Sequence, residues 1–155
     1  MSPSETVRRA SPADAEAVAK LLHDFQKEYD EPTPGVPVLA QRYEKLLRSG
    51  EMIVLLVGDG PDGFAQLRFR PTVYSDGLDA YLEELYVVPT RRGQGLGRAL
   101  LEAAMETARD EGATRMDLGT SEADVAALAL YESTGFTNRE GRPDGPVMLY
   151  YEREL

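Results

Sequence analysis

Apolar residues along the chain change period several times, and each change predicts an element. Thr6 to Arg9 is a short strand candidate. Ser11-Pro12-Ala13-Asp14 reads as a helix start, with Ser as N-cap, Pro at the first helical position and an acid at the third. Val18, Leu21, Leu22, Phe25 and Tyr29 then recur at helical spacing. Three prolines and a glycine in Asp30 to Pro37 forbid continuation. Leu39, Tyr43, Leu46 and Leu47 give a second helical stripe ending near Ser49-Gly50. Met52 to Val57 is a continuous apolar run too short for a helix, and Gly58 to Gly63 turns it into a returning strand, Phe64 to Phe69.

Arg70 to Asp79 reads as a loop or an irregular strand extension, and Tyr81 to Val88 as the next strand, stopped by Pro89, which removes a ladder donor. Leu96, Leu100, Leu101, Ala104 and Ala108 mark a helix ending at Gly112, followed by a strand from Thr114 to Leu118. Val125, Leu128, Ala129 and Glu132 lie on a last helix closed by Gly135, and Val147 to Glu154 alternates enough for a final strand. Tight turns join the early strands and helices the later ones, which predicts a mixed sheet flanked by helices. With 155 residues and no visible repeat or linker, residues 1–155 read as one domain.

Between the Tyr81–Val88 strand and the helix after it lies Arg91-Arg92-Gly93-Gln94-Gly95-Leu96-Gly97-Arg98. A glycine-rich turn opening a helix leaves several amides pointing one way with the positive end of the helix dipole behind them, an arrangement suited to phosphate. Gly93, Gly95 and Gly97 remove side chains that would hold an anion away, and Arg91, Arg92 and Arg98 add positive charge. The plain alternative is a tight strand–turn–helix connection. Asp117 follows at the distance of a ribose-binding acid, but the loop is G-x-G-x-G, with Leu100 where a dinucleotide fingerprint counted from Gly95 needs its third glycine. No Gly-Lys-Ser/Thr occurs, so a Walker loop is excluded.

Arg92-Gly93-Gln94-Gly95-Leu96-Gly97 resembles the R/Q-x-x-G-x-G/A signature of the GNAT superfamily of N-acetyltransferases, and Leu130-Tyr131-Glu132-Ser133-Thr134-Gly135-Phe136 is similar to that family's LYxxxGF segment. The likeness is close over the second half of the chain; the first half matches in element order. It implies a layered α+β fold, with a mixed, largely antiparallel sheet of six to seven strands flanked by about four helices. It also implies acetyl-CoA as co-substrate, with Arg92 to Arg98 gripping the pyrophosphate. Leu85, Tyr86, Val87 and Val88 would splay from the neighbouring strand to receive the pantetheine arm like an added strand, and amides near Val87 and Val88 would polarise the thioester carbonyl. Relatives are often dimers.

Three further positions carry candidate chemistry. By the resemblance, Tyr131 faces the sulfur, and a phenol with a pKa of about 10 suits a proton donor to a leaving thiolate. The alternative is simple packing on the sheet. Freeing an alkylamine lone pair at pH 7 costs about 4 kcal/mol, and a carboxylate can accept that proton. Tyr81-Leu82-Glu83-Glu84-Leu85-Tyr86-Val87 looks like the diamine-type members, which implies Glu83 as base and Glu84 as contact for the substrate amine. Strand neighbours face opposite sides, so at most one of the pair is expected at a reaction centre. A solvated glutamate beside one in an ion pair is the other reading. Many relatives carry Asn where this chain has Asp124, and a helix N-cap is the reading favoured for it. His23 reads as structural. Tyr29, Tyr43 and Tyr74 are candidates for an acceptor pocket or for packing.

Composition narrows the classes. The chain has no cysteine and one histidine, which removes disulfides, a thiol nucleophile, a covalent acyl-thiol route and a His-cluster metal site. A net charge of −10 disfavours nucleic acid and anionic membranes as partners and makes the arginines of the loop a local reversal of sign. No apolar run reaches spanning length and the first residues lack a signal-peptide core, so a cytoplasmic protein is expected. The expected activity is acetyl transfer to a primary amine of a small cationic molecule, a polyamine or aminoglycoside, in a ternary complex. The rival is a non-catalytic acyl-CoA-binding sensor.

Overall fold

The computed structural model describes residues 6–155. They fall into two compact units, residues 6–118 and 119–155. The first contains a five-stranded sheet in the order β1-β2-β3-β4-β5. The strands are β1 (Val7–Arg9), β2 (Ile53–Val57), β3 (Gly63–Pro71), β4 (Leu78–Val87) and β5 (Ala113–Leu118). β1 to β4 are antiparallel, and β5 joins β4 in parallel after a crossover through helix α3 (Leu96–Asp110). Helices α1 (Ala15–Glu28) and α2 (Val36–Ser49) fill the connection from β1 to β2.

The expected Ser11 start is present, as a 3-10 turn over Pro12–Asp14 that leads into α1. Asp14 Oδ2 accepts from the Ser11 amide at 2.8 Å, and Arg8 Nη2 reaches Asp14 Oδ1 at 2.9 Å. That guanidinium, together with the Ser11 bonds, holds the Asp14 carboxyl down at about 2.

Strand alternation sorts the sheet into two faces. A Cβ on Gly63 would meet Leu100 and Val57 at 3.2 Å, so Val57 and Gly63 face α3. Ala65 and Leu67 follow them at period two. On the opposite face Val54, Leu56, Phe64 and Tyr86 form a core with Val18, Leu21, Leu39 and Tyr43 of α1 and α2. Both faces of β2 and of the start of β3 are therefore buried, which explains why Ile53–Val57 is apolar without alternation.

Of the two readings of Arg70 to Asp79, the strand extension holds at both ends: β3 runs on to Pro71 and β4 starts back at Leu78, with Arg70 opposite Asp79. Ion pairs run across this end of the sheet, Arg70–Asp79 at 3.7 Å, Arg115–Asp79 at 3.9 Å and Arg70–Asp117 at 3.4 Å. Cross-strand charge pairing sustains ladders that hydrophobicity does not announce. The strand count is five among the described residues, below the expected six to seven. Val147 to Glu154 is not a strand: Val147 makes one isolated bridge to Arg139, and the residues beyond it have no ladder. Alternation supplies propensity, whereas a strand also needs a matching edge.

The second unit carries α4 (Val125–Ser133), whose N-cap Asp124 accepts from the Ala127 amide at 3.1 Å. None of the helices among the described residues is long and apolar enough to cross a membrane.

Candidate active site

Gly93 and Gly95 adopt φ of +75° and +82°, which favours glycine, and a Cβ on either would point into open space. Two left-handed residues in three turn the chain from the 3-10 turn Pro89–Arg91 into α3. The first bond inside α3 runs from the Ala99 amide to Gly95 O at 3.0 Å, so the amides before it have no partner in the helix itself. No side chain caps α3, and its first turn holds no acidic residue. The helix dipole is thus left for an outside anion, and the donor set fits a diphosphate.

The arginines contribute differently from the sequence expectation. Arg91 Nη1 donates to Asp62 Oδ2 at 2.7 Å and its Nε to Gln94 Oε1 at 3.1 Å. Arg92 Nη2 donates to Glu28 Oε1 at 2.8 Å and its Nε to Val87 O at 2.9 Å, with the guanidinium 5.6 Å from the Tyr86 ring centre. Both side chains tie the loop to its neighbours, where their charge is shared with Asp62 and Glu28. Phe25 stacks on Tyr86 at 4.8 Å and packs edge-on against Tyr29, which completes the fastening of α1 to the end of β4.

The β4–β5 ladder stops at Leu82–Leu118, while β4 stays on β3 as far as Val87–Gly63. From Glu83 to Val87 the strand therefore has one edge beyond the end of the β5 ladder, as expected of a splayed pair. The Val88 amide, however, donates to Asp62 O at 2.8 Å. By strand alternation the amides of Leu85 and Val87 point to the opposite, open edge. Of the two positions expected to polarise a carbonyl, Val87 keeps that geometry and Val88 does not.

The acidic pair holds the main departure. β3 and β4 pair Gln66 with Glu84 and then Leu67 with Leu82, leaving Glu83 as the extra residue of a β-bulge. In an unbroken strand Glu83 would face α3 with Leu67. Here it turns to the α1/α2 face, where its carboxylate accepts from Gln66 Nε2, while Gln66 Oε1 accepts from the buried Tyr43 hydroxyl. Glu84, opposite Gln66, shares that face. The strand alternation that would set the two glutamates on opposite faces does not hold here, because a bulge resets it.

Burial, then Glu83, then Glu31 of the α1–α2 connection push the Glu84 carboxyl up to about 7. Burial and the same two β4 carboxylates push the Tyr43 hydroxyl upward, so it remains a donor. Two carboxylates, a loop acid and a phenol thus meet beside the open edge of β4. Sequence reading missed Gln66 and Glu31; the signal for Gln66 was a lone amide inside an otherwise apolar strand segment.

The remaining candidates separate. His23 Nδ1 lies 3.1 Å from Thr33 Oγ1, which also accepts from the Gly35 amide, so the histidine braces the α1–α2 connection. Tyr29 and Tyr74 are exposed, Tyr74 at 93%. Asp117 is engaged by Arg70 rather than open to a ribose. Among the described residues no group of three or more His, Asp or Glu could hold a metal ion. In the second unit Tyr131 is half-buried, its ring 6.0 Å from Phe136 in an edge-on pair, and its carbonyl accepts from the Phe136 amide at 3.0 Å.

Comparison with known proteins agrees with this architecture. An aminoglycoside N(6')-acetyltransferase type 1 from Stenotrophomonas maltophilia is 33% identical over 140 residues, covering 87% of this chain and 88% of the relative. A thialysine N-epsilon-acetyltransferase from Caenorhabditis elegans is 26% identical over 132 residues, covering 83% and 80% respectively. The crystal structure of a protein from Arthrobacter sp. FB24 superposes with a TM-score of 0.90 at 46% identity, covering 100% of this chain and 99% of that one. Residues 17–136 match the acetyltransferase (GNAT) family, to which this chain therefore belongs.

Proposed function

We propose that the chain transfers an acetyl group from acetyl-CoA to a primary amine of a small cationic acceptor, by direct attack in a ternary complex. The observation that carries this reading is the bulge, which sets Glu83 and Glu84 on one face beside the open edge of β4. Two curated relatives are named for acetylation of amino groups on cationic molecules. The family match spans both units, which we take to act as one acetyltransferase domain.

When bound, acetyl-CoA supplies the activated thioester. Amides from Gly93 to Arg98 hold its diphosphate, and Leu85 and Val87 offer amides to the pantetheine arm. Fixing both ends of the donor converts a bimolecular encounter into an oriented one. Glu84 is the proton acceptor, in place of the Glu83 expected from sequence: a carboxyl near 7 matches the operating pH, where general-base efficiency is greatest. Glu83, which accepts from Gln66, attracts the ammonium form of the substrate together with Glu31. Tyr131 gives a proton to the departing sulfur. We place this activity in the cytoplasm and the assembly as a homodimer, which light scattering of the purified protein checks.

The deciding experiment is a screen of polyamines, aminoglycosides, amino acids and peptide N-termini, following CoA release from acetyl-CoA. Turnover with cationic amines is expected, reduced at least tenfold in Tyr131→Phe with acetyl-CoA affinity kept. A wild-type protein idle with every amine, on acetyl and on longer acyl donors alike, overturns the proposal.

A further inference from the structure

We propose that Gln66, anchored by Tyr43, is a positioning residue that biases charge onto Glu83 and so helps leave Glu84 to take the proton. The inference deepens the reading above and rests on it for its catalytic meaning. Gln66 is 6% exposed and is the buried polar residue of the described core. An amide side chain can be turned either way round, and only its NH₂ end suits a carboxylate. The Glu83 carboxylate, an acceptor only, removes the ambiguity: it takes Gln66 Nε2, and the Tyr43 hydroxyl donates to the Oε1 end and anchors it. Turned round, the amide would set its oxygen against the Glu83 oxygens and lose that bond.

Gln66 stands directly across the ladder from Glu84, yet it serves Glu83. The bulge makes this crossed arrangement by bringing Glu83 onto the same face. A donor to one carboxylate favours its charged form, and that charge then opposes ionisation of its neighbour. The groups that act on Glu84 are Glu83 on its own strand and Glu31 in the α1–α2 connection, with Tyr43 on α2 nearby. Burial weighs most on Glu84, and Gln66 adds to the asymmetry by donating to Glu83 alone.

The test reads the resting protein without substrate. Carbon-13 NMR of labelled glutamate carboxyls, assigned with Glu83→Gln and Glu84→Gln, follows both titrations. In wild type the upper step belongs to Glu84 alone. In Gln66→Leu that step is shared by both carboxyls. Tyr43→Phe, which keeps the ring packed and loses the hydroxyl, spreads the step in the same sense but less. Native circular dichroism with the upper step still confined to Glu84 in these variants overturns the proposal. Should Gln66→Leu not fold, Tyr43→Phe decides by the same criterion. Absence of turnover in the amine screen sinks the transferase reading but leaves these titrations intact, so the two failures are distinguishable.

Discussion

The Glu84 carboxyl, raised to about 7 mainly by burial, holds its proton more tightly in the folded chain than in the unfolded one. Folding gains nothing from its charge. Below the ordinary carboxylate range the group is neutral in both states and neutral to stability. As pH rises from about 4.5 to 7 the unfolded chain ionises first, and the penalty is complete above the folded value. At one pKa unit per 1.36 kcal/mol, the penalty reaches about 3 kcal/mol. Glu84→Gln should therefore melt higher than wild type at pH 8, by up to that amount, with the difference vanishing near pH 4.5 in calorimetric scans. The same variant should lose about 100-fold or more in kcat, and the wild-type kcat profile should fall on the acid side of pH 7. Glu83 and Glu84 were legible in the sequence as an acidic pair. Their placement on one face was not, because it depends on a bulge and on one buried amide from another strand.

At the scale of elements, the strand-to-helix turn before α3 and the cap before α1 were both readable, since each is written in local residues. Gly93 and Gly95 occupy left-handed conformations, so Gly95→Ala should cost about 1–2 kcal/mol of stability by denaturant unfolding. It should also weaken CoA binding in titration calorimetry, since strain there misaims the amides of the first turn of α3. Asp14 closes the start of α1. Its depressed pKa means that its contribution is present above about 3.8 and is lost as pH falls through about 2. Asp14→Ala should destabilise by about 1 kcal/mol at pH 7 and match wild type in the most acid melts. The Val147–Glu154 strand was misread because alternation reports propensity, and the edge it needs is a property of other segments.

For the molecule as a whole, a net charge of −10 surrounds a site proposed for cationic acceptors. Long-range attraction of that kind is screened over about 8 Å at physiological salt. Raising salt from about 20 mM to about 500 mM should lower kcat/KM for a polycationic amine several-fold while leaving the value for a singly charged amine nearly unchanged. Equal salt dependence for both amines would count against the acidic cluster as the acceptor site. The ion pairs Arg91–Asp62 and Arg92–Glu28 belong to this scale as well. They spend most of the loop's arginine charge on holding β2, β3, α1 and the glycine turn together.

Sequence by itself determined the helices, the first five strands along the chain, the glycine turn and the presence of two adjacent acids. Each is set by residues within one helical turn or one hairpin of each other, where spacing and backbone preference act directly. Tertiary structure decided the rest: that Leu82 rather than Glu83 faces α3, that Gln66 and Tyr43 meet Glu83, and that Glu31 reaches the field of Glu84. Those outcomes depend on register between strands and on the desolvation of a carboxyl by segments distant in sequence, and neither quantity exists until the chain has packed.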